Sequence, residues 1–314
     1  MCYSALIKQS IQKLGLKYSA RVDLALFEEL SKERLAGKKR NLPKGIESEL
    51  LGGGLGISTS AIDNFQKIRL EQLAKMEKEL FQQKARKEKA QASLKTKSTK
   101  TLEKELAVAT RQIDRIVERI QKLQRSHIER EDYRIFSYDF APVIVSRNGQ
   151  RWIVPMRYHL RPNGMKDDFD RKYPGCYNAR RDSLTGFWKN QFGKNHGLLV
   201  IESFYEHVSR AAFEGRTSKE EDESIVIEFR PDSKAEMLVP CIWDQWEGED
   251  SFRSFAIITD DPPPEVLARG HDRCPIFLRY DAIDAWLNPE GKNMSELLKL
   301  LQERESVKYL AAIA

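Results

Sequence analysis

The sequence predicts an α+β fold: a mixed or antiparallel, barrel-like β-sheet core with peripheral helices and an inserted long antiparallel helical hairpin. From Tyr133 onward, short runs of β-branched and aromatic residues alternate with Gly, Pro, Asn and Asp, and no βαβ rhythm is visible. Residues 102–123 instead carry apolar side chains at helical spacing. We therefore expect a discontinuous domain formed by residues 1–58 and 132–314, with residues 59–131 inserted into it.

The first 58 residues predict helix followed by loop. Residues 5–35 mix apolar and charged side chains at roughly helical spacing, with one apolar side formed by Leu24, Phe27 and Leu30. Residues 37–56 contain Gly37, Pro43 and Gly45 and end in a Gly-rich run. That run lacks the Lys-Ser/Thr that follows the glycines of a phosphate-binding loop, so we expect a flexible connection.

The inserted segment predicts two long helices. Ser60 and Asp63 form a capping-box pattern before the first of them. A Ser/Thr/Lys-rich stretch at residues 93–101 interrupts the apolar pattern, which then resumes in steps of four and three: Leu102, Leu106, Ala109, Ile113, Ile116, Ile120 and Leu123. Such a heptad seam requires a partner helix. The preceding helix is nearest, so the spacing predicts an antiparallel coiled-coil hairpin projecting from the core.

The second half of the chain predicts mainly strands. The apolar runs are residues 142–145, 152–154, 198–201, 225–227 and 255–258. Helical spacing returns only at residues 295–301.

Composition excludes several classes of protein. The chain has 314 residues, of which 40% are hydrophobic and 32% charged, and its apolar runs are too short to cross a bilayer. It shows no signal-peptide pattern. Its cysteines, Cys2, Cys176, Cys241 and Cys274, form no CxxC pair, so neither a zinc site nor a disulfide framework is indicated. We expect a cytoplasmic protein, nucleoid-associated in a bacterium, that contacts no membrane and needs no metal or organic cofactor.

The positive charge is concentrated in the inserted segment. The whole chain carries +6, whereas residues 60–131 hold 18 Lys and Arg against 11 Asp and Glu, a net charge of +7. Basic side chains crowd the predicted hairpin tip: Lys84, Arg86, Lys87, Lys89, Lys95, Lys97 and Lys100. A solvated helix face explains such a cluster, and so does contact with DNA phosphates, a replication-fork component or another protein.

Separated motifs resemble one known family. The chain begins Met1-Cys2, and it continues with Pro-Met-Arg-Tyr at residues 155–158, Asn-Ala-Arg at 178–180, Phe-Tyr-Glu at 204–206 and His-Asp-Arg-Cys-Pro at 271–275. In this order and approximate spacing they are similar to the SOS response-associated peptidase family. The resemblance covers residues 1 to about 30 and 133 to about 290, and it leaves residues 59–131 as an insertion.

The resemblance implies a DNA-damage protein that crosslinks itself to abasic sites in single-stranded DNA. Removal of Met1 would leave Cys2 with a free α-amine and a thiol on adjacent carbons. An α-amine titrates near pH ~8, so part of it is nucleophilic at neutral pH. The amine forms a Schiff base with the abasic aldehyde, and the thiol then closes a thiazolidine ring.

The resemblance also assigns the other site residues. Glu206 is the acid/base for imine formation, and His271 assists sugar opening and the reverse reaction. Asn178 orients the Cys2 amine or thiol. Arg180 clamps a phosphate beside the lesion, and Arg157 is a further DNA contact. Among the aromatic residues of the chain, we choose Tyr158 as the one that stacks on an unpaired base, as in proteins that bind single strands.

Two other functions stay open at this point. Cys2, Glu206 and His271 also suit a cysteine-type peptidase or autoprotease, although only Met1 precedes the cysteine. Alternatively, the chain is a non-enzymatic scaffold that assembles through its hairpin. Loss of Cys2-dependent reactivity in a folded protein would favour the scaffold.

Overall fold

The computed structural model describes residues 4–7, 10–217, 222–233, 235–248 and 250–314. Within these ranges the chain forms twelve strands: β1 (Ser4–Ile7), β2 (Ala20–Val22), β3 (Arg134–Phe136), β4 (Phe140–Arg147), β5 (Gln150–Tyr158), β6 (Asn178–Arg180), β7 (His196–Ser209), β8 (Ser224–Pro231), β9 (Met237–Trp246), β10 (Phe252–Asp260), β11 (Cys274–Pro275) and β12 (Tyr309–Ile313).

The same ranges contain ten α-helices: α1 (Ile11–Lys17), α2 (Leu24–Leu35), α3 (Lys44–Leu51), α4 (Thr59–Thr96), α5 (Lys100–Gln124), α6 (Phe169–Lys172), α7 (Arg210–Phe213), α8 (Pro264–Leu267), α9 (Ile283–Leu287) and α10 (Met294–Gln302). Short 3₁₀ turns lie at Arg130–Tyr133, Arg181–Ser183 and Tyr280–Ala282. None of the helices in the described ranges is both long and apolar enough to span a bilayer.

Five strands close into a barrel. Antiparallel pairs join β4 to β5, β4 to β7, β7 to β9 and β9 to β10. A short parallel pairing of β10 with β5, at Ser254↔Arg157, completes the ring. The predicted α+β class with a barrel-like mixed sheet is therefore confirmed.

The alternation of side chains along the five barrel strands gives two apolar layers. One set, which includes Val143, Val154, Leu199, Val239 and Phe255, forms a buried cluster inside the ring. The other set faces outward and is covered by apolar residues of the peripheral helices, such as Phe27, Ile46, Phe65, Trp286 and Leu297. The barrel is thus a packed scaffold on both faces, and its strand ends and extra strands carry the polar groups described below.

Strand β7 extends beyond the barrel and carries further strands. Its second half pairs with β1 on one side, with Ser4 opposite Tyr205, and with β8 on the other side, with Glu206 opposite Ile227. Strand β12 continues the sheet from β8, and β6 and β11 flank the end of β10. The N-terminal strand therefore lies directly against the part of β7 that holds Glu206.

Helices α4 and α5 form an antiparallel hairpin. Arg86 pairs with Glu105, and the Arg69 guanidinium donates to the carbonyl of Leu123, so the helices run in opposite directions. The predicted seam is buried or half-buried, with Ala109 and Ile116 fully covered. The first turns of α4 enter the outer core layer, which fixes the base of the hairpin.

Three local predictions were wrong. The N-terminal stretch predicted as helix contains β1, whose four residues are all buried between β3 and β7, so strand pairing overrides the local pattern. The predicted loop at 37–56 contains α3, which buries Ile46 and Leu50. Helix α4 is capped by Ser58, whose hydroxyl accepts a hydrogen bond from the Ala61 N–H, rather than by Ser60.

Candidate active site

Glu206 lies on β7 in a position closed to solvent. Its neighbour on β8 is Ile227, and the residue is only 2% exposed. A carboxylate buried to this degree requires a cationic or hydrogen-bonding partner, because desolvation of an isolated charge is costly.

His271 supplies that partner from the loop between α8 and β11. Gly270 lets the loop approach α7, since its φ is +87° and a Cβ atom there would lie 2.5 Å from the Cβ of Ala212. Arg269 fixes the same contact by donating to the carbonyl of Phe213 at 2.8 Å. Because α7 directly follows β7, anchoring the loop to this helix holds the imidazole beside Glu206.

The two side chains form a buried pair. His271 Nε2 lies 3.0 Å from Glu206 Oε2. The other ring nitrogen, Nδ1, lies 2.9 Å from the carbonyl oxygen of Arg273 and 3.3 Å from its N–H. The ring is consequently satisfied both as imidazolium, with Nδ1–H donating to the carbonyl, and as the neutral Nε2–H tautomer, with Nδ1 accepting from the N–H.

The N-terminal strand is held against this pair. The Ser4 side chain is fully buried, and its hydroxyl oxygen accepts a hydrogen bond from Arg134 Nε at 2.9 Å. The Arg134 guanidinium stacks on the Tyr205 ring, 3.6 Å from its centroid. The sequence did not lead us to Arg134, and the one signal it offered was the position of this residue at the start of the strand-rich region. Cys2 itself lies outside the described residues.

Asn178 lies on β6, in register with Ile257 of β10. The residue is 8% exposed, and its Oδ1 and Nδ2 are both buried without a hydrogen-bond partner in the described part of the chain. A buried amide without partners costs about 1–3 kcal/mol, so a fold tolerates one mainly where a ligand or another group satisfies it.

The three described cysteines are buried thiols. Cys274 follows the His271 loop and donates from Sγ to the Tyr309 hydroxyl at 3.7 Å. Burial raises the pKa of the Cys274 thiol, and likewise that of Cys176, to about 12. Burial also raises the pKa of Cys241. At neutral pH these thiols are therefore protonated and poor nucleophiles.

Arg180 is exposed at the rim of a groove of about 350 Å³. Its guanidinium pairs with Asp182, and half of its side chain stays accessible. Arg181 and Arg273 also line the groove, as do Asp260 and Asp261. The arginines are partly neutralised, so an anion here would compete with the carboxylates.

Two of the predicted DNA contacts are corrected by their burial. Tyr158 is fully buried and stacks on Phe255 with ring centroids 5.2 Å apart, so its ring is closed to an unpaired base. Arg157 is 7% exposed, pairs with Asp170 at 2.7 Å and lies over the Phe252 ring. Desolvation at this position lowers the pKa of Arg157, and the side chain acts as an internal brace for the strand end.

A model of one protein family matches most of the chain. The SOS response associated peptidase (SRAP) model covers residues 101–313. The chain belongs to the SRAP family. The SRAP match begins in α5 and includes all of the barrel strands, Asn178, Glu206 and His271. SRAP membership supports an SOS-associated role in the response to DNA damage, with an interaction with DNA.

Solved structures with low sequence identity are similar to this chain. A protein from Bacteroides thetaiotaomicron is 19% identical, with a TM-score of 0.47 over 63% of this chain and 82% of its own. A protein from Bordetella bronchiseptica is 16% identical, with a TM-score of 0.46 over 63% and 94%. A phage-related protein from the same organism is 16% identical, with a TM-score of 0.43 over 57% and 81%. No curated protein matches the chain.

Proposed function

We propose that this SRAP protein captures abasic sites in single-stranded DNA as a covalent adduct of Cys2, which becomes the N-terminal residue when Met1 is removed. One observation carries the proposal. Glu206, which pairs with His271, directly follows the residues of β7 that pair with β1, and Cys2 stands two positions before Ser4, the first residue of β1.

Chain connectivity limits how far Cys2 can be from this pair. Ser4 is in register with Tyr205, the residue before Glu206. Two residues of extended chain span about 7 Å at most, so Cys2 stays within that distance of Ser4 wherever the terminus points. This short connection supports the proposal that the amine and thiol of Cys2 react beside the acid/base pair.

The reaction is a condensation that releases one water molecule. The Cys2 amine adds to the aldehyde carbon of the ring-opened abasic sugar and gives a carbinolamine. Loss of hydroxide as water leaves an imine, and the Cys2 sulfur then bonds to the imine carbon while the thiol proton moves to nitrogen. The products are a thiazolidine and water, and no oxidant or reductant is needed.

Glu206 and His271 suit the proton transfers of this sequence. The carboxylate accepts a proton from the attacking amine, and the carboxylic acid or the imidazolium returns one to the departing hydroxyl. His271 exchanges the Nε2 proton with Glu206 while Nδ1–H keeps its hydrogen bond to the Arg273 carbonyl. Asn178 brings a buried amide whose hydrogen bonds are available for the Cys2 amine, the thiol or the sugar.

Arg180 is the side chain that we assign to a phosphate beside the lesion. It is half exposed, and Asp182 holds its fork of donors in a fixed orientation. Arg157 and Tyr158 take no part in the proposed contact, since both are buried.

Denaturing gel electrophoresis tests the proposal. Met1-processed protein should give a slow-migrating band with single-stranded DNA that contains one abasic site, and none with intact DNA or with DNA whose abasic aldehyde has been reduced by borohydride. Cys2→Ala should abolish the band, whereas Cys274→Ala, which removes a buried thiol, should preserve it. Cys2→Ser keeps the amine but loses sulfur, so it should give a band only when cyanoborohydride traps the imine.

A thiol peptidase is the second candidate, because the family's description names a peptidase and a Glu–His pair can also activate a thiol. Processed protein that gives no adduct but cleaves a peptide substrate in a Cys2-dependent manner would replace the crosslinking proposal with this one.

A further inference from the structure

The helical hairpin carries its positive charge at the tip. Residues 84–104, which span the end of α4, the connecting turn and the start of α5, hold eight Lys and Arg against two Glu, a net charge of +6. The remainder of the hairpin is nearly balanced: residues 59–83 hold four of each sign, and residues 105–124 hold four Lys and Arg against three Asp and Glu. We call residues 84–104 the basic tip.

The charges of the basic tip are accessible. Seven of its eight cationic side chains are exposed, and Lys87 is half-buried. In this fully described stretch, Arg86 pairs with Glu105, whereas the other seven have no ion pair. Every side-chain hydrogen bond of the basic tip stays within the hairpin. Its surface is completed by neutral hydrogen-bonding residues: Gln91, Ser93, Thr96, Ser98, Thr99 and Thr101.

The base of the hairpin is rigidly attached to the barrel domain. Phe65 and Ile68 of α4 lie in the outer core layer. Lys44 of α3 donates to the carbonyl of Arg125 at 2.8 Å, just beyond the end of α5. The arm from Arg69 to Thr96 is 28 residues of continuous helix, or about 40 Å at 1.5 Å per residue. A packed helix pair of this length holds the basic tip at a set distance from the domain.

We propose that the basic tip is a second, sequence-independent binding site for a nucleic-acid phosphate backbone. Cations that lack carboxylate partners release counterions from phosphates on binding, whereas cations already paired with a carboxylate gain less binding free energy. An arm of about 40 Å corresponds to roughly 12 nucleotides at 3.4 Å per nucleotide. The choice of a DNA backbone as the partner rests on the proposed function, in which the strand that carries the lesion extends beyond the active site.

The salt dependence of DNA affinity tests this site independently of the covalent step. The tip variant is K84Q/K89Q/K95Q/K97Q/K100Q, and the matched control is K67Q/K78Q/R111Q/R115Q/R119Q, which removes five exposed positive charges from the remainder of the same hairpin. Gln supports helix about as well as Lys or Arg, and circular dichroism verifies that both variants fold. Binding is measured on intact single-stranded oligonucleotides of about 8 and about 30 nucleotides.

The tip variant should bind the long oligonucleotide at least tenfold more weakly near 0.1 M salt. Its slope of log affinity against log salt should fall by about 2 to 3, since each lost phosphate contact on a single strand removes about 0.7. The control variant should change much less, and the short oligonucleotide should not distinguish the two variants. Equal slopes for both variants on the long oligonucleotide would overturn the proposal. So would capture of acidic phospholipid vesicles by the tip with unchanged DNA binding.

Failure of the proposed function would look different. Cys2→Ala should retain the full slope difference, because the basic tip acts without the covalent step. If no variant forms an adduct but the slopes differ as expected, the tip site stands and the crosslinking proposal falls.

Discussion

His271 and Glu206 form a buried pair, 3.0 Å apart, whose second ring nitrogen faces both main-chain groups of one residue, Arg273. When Nε2 gives up its proton towards Glu206, Nδ1–H still donates to the Arg273 carbonyl. This hydrogen bond therefore holds the imidazole in one orientation during proton transfer at Nε2, which is what acid/base catalysis requires.

We predict that Glu206→Gln slows adduct formation by about 10²- to 10⁴-fold, the range typical of a positioned acid/base. His271→Gln should also slow it, and the double variant should be no slower than the slower single variant, because the two groups act as a unit. Single-turnover gel kinetics on abasic single-stranded DNA measure the rates.

Glu202→Gln is the matched control for this prediction. Glu202 lies on the same strand, four residues before Glu206, and pairs with Arg130 in a more exposed position. It should leave the rate within about twofold of the parent, since it touches no proposed reacting group. Equal effects of the two substitutions on the rate of adduct formation would mean that Glu206 only supports the structure of the sheet and takes no part in proton transfer.

Asn178 should be needed for the reaction but not for folding. We predict that Asn178→Ala lowers the adduct rate at least tenfold while the free energy of unfolding falls by less than about 1 kcal/mol or rises, because the amide makes no hydrogen bond in the described part of the chain. Gln191→Ala is the control. That amide is also buried but donates to Asp244 at 2.8 Å, so its loss should cost about 1–3 kcal/mol and leave the rate unchanged. The opposite pattern would make Asn178 structural.

The barrel strands β4, β5, β7 and β10 were readable from the sequence because each contains a short apolar run rich in β-branched residues. The seam of α5 was readable because its period is uniform over 22 residues, 102–123. Strand β1 was not, since its four residues include one β-branched aliphatic side chain, Ile7, and their partners on β3 and β7 lie 128 or more residues away. Barrel closure likewise depends on the pairing of β10 with β5, which no local pattern encodes.

The site residues likewise divide into those whose role the sequence predicted and those whose exposure or packing it did not show. Motif resemblance selected Glu206 and His271, and the fold brings them into contact. Arg157 and Tyr158 were also selected as DNA contacts, but residue type carries no information on exposure. Both stand at the end of β5, where Asp170 and Phe255 enclose them. Gly270 was overlooked, because the need for a glycine appears only when α7 packs against its loop.

Cys2 should be the only thiol that reacts rapidly in the native protein. The chain has four cysteines, and burial raises the pKa of Cys176 and Cys274 to about 12 and also raises that of Cys241. A disulfide reagent such as 5,5′-dithiobis(2-nitrobenzoate) at neutral pH should therefore label one equivalent of native protein within minutes and four equivalents after denaturation. Cys2→Ser should reduce the native value to zero. A second rapid equivalent would show that a buried cysteine becomes accessible.

His196 predicts how stability depends on pH. The residue is 3% exposed and accepts a hydrogen bond at Nε2 from the Gly193 N–H, while Nδ1 faces the carbonyl of Trp286, each at 2.9 Å. These contacts fit only the neutral ring, and burial lowers the pKa of His196 to about 4. Between about pH 6.5 and 4, His196 gains a proton in the unfolded chain but stays neutral in the folded protein. Stability is therefore complete above about pH 6.5 and is lost as pH falls towards 4, by up to about 3 kcal/mol.

Urea unfolding at several pH values between 7 and 4 measures this loss. His196→Gln can keep both hydrogen bonds without titrating, so its unfolding free energy should fall less on acidification than that of the parent. Part of the loss should persist, because burial also lowers the pKa of His159 to about 4. His127→Gln removes a histidine that is 68% exposed and should leave the pH dependence unchanged.

If His196→Gln and His127→Gln lost the same unfolding free energy on acidification, the proton taken up on unfolding would bind a group other than His196. The buried carboxyl of Asp139 is not that group. Burial raises the pKa of Asp139 to about 6, so its contribution favours the folded protein as pH falls, which is the opposite sign.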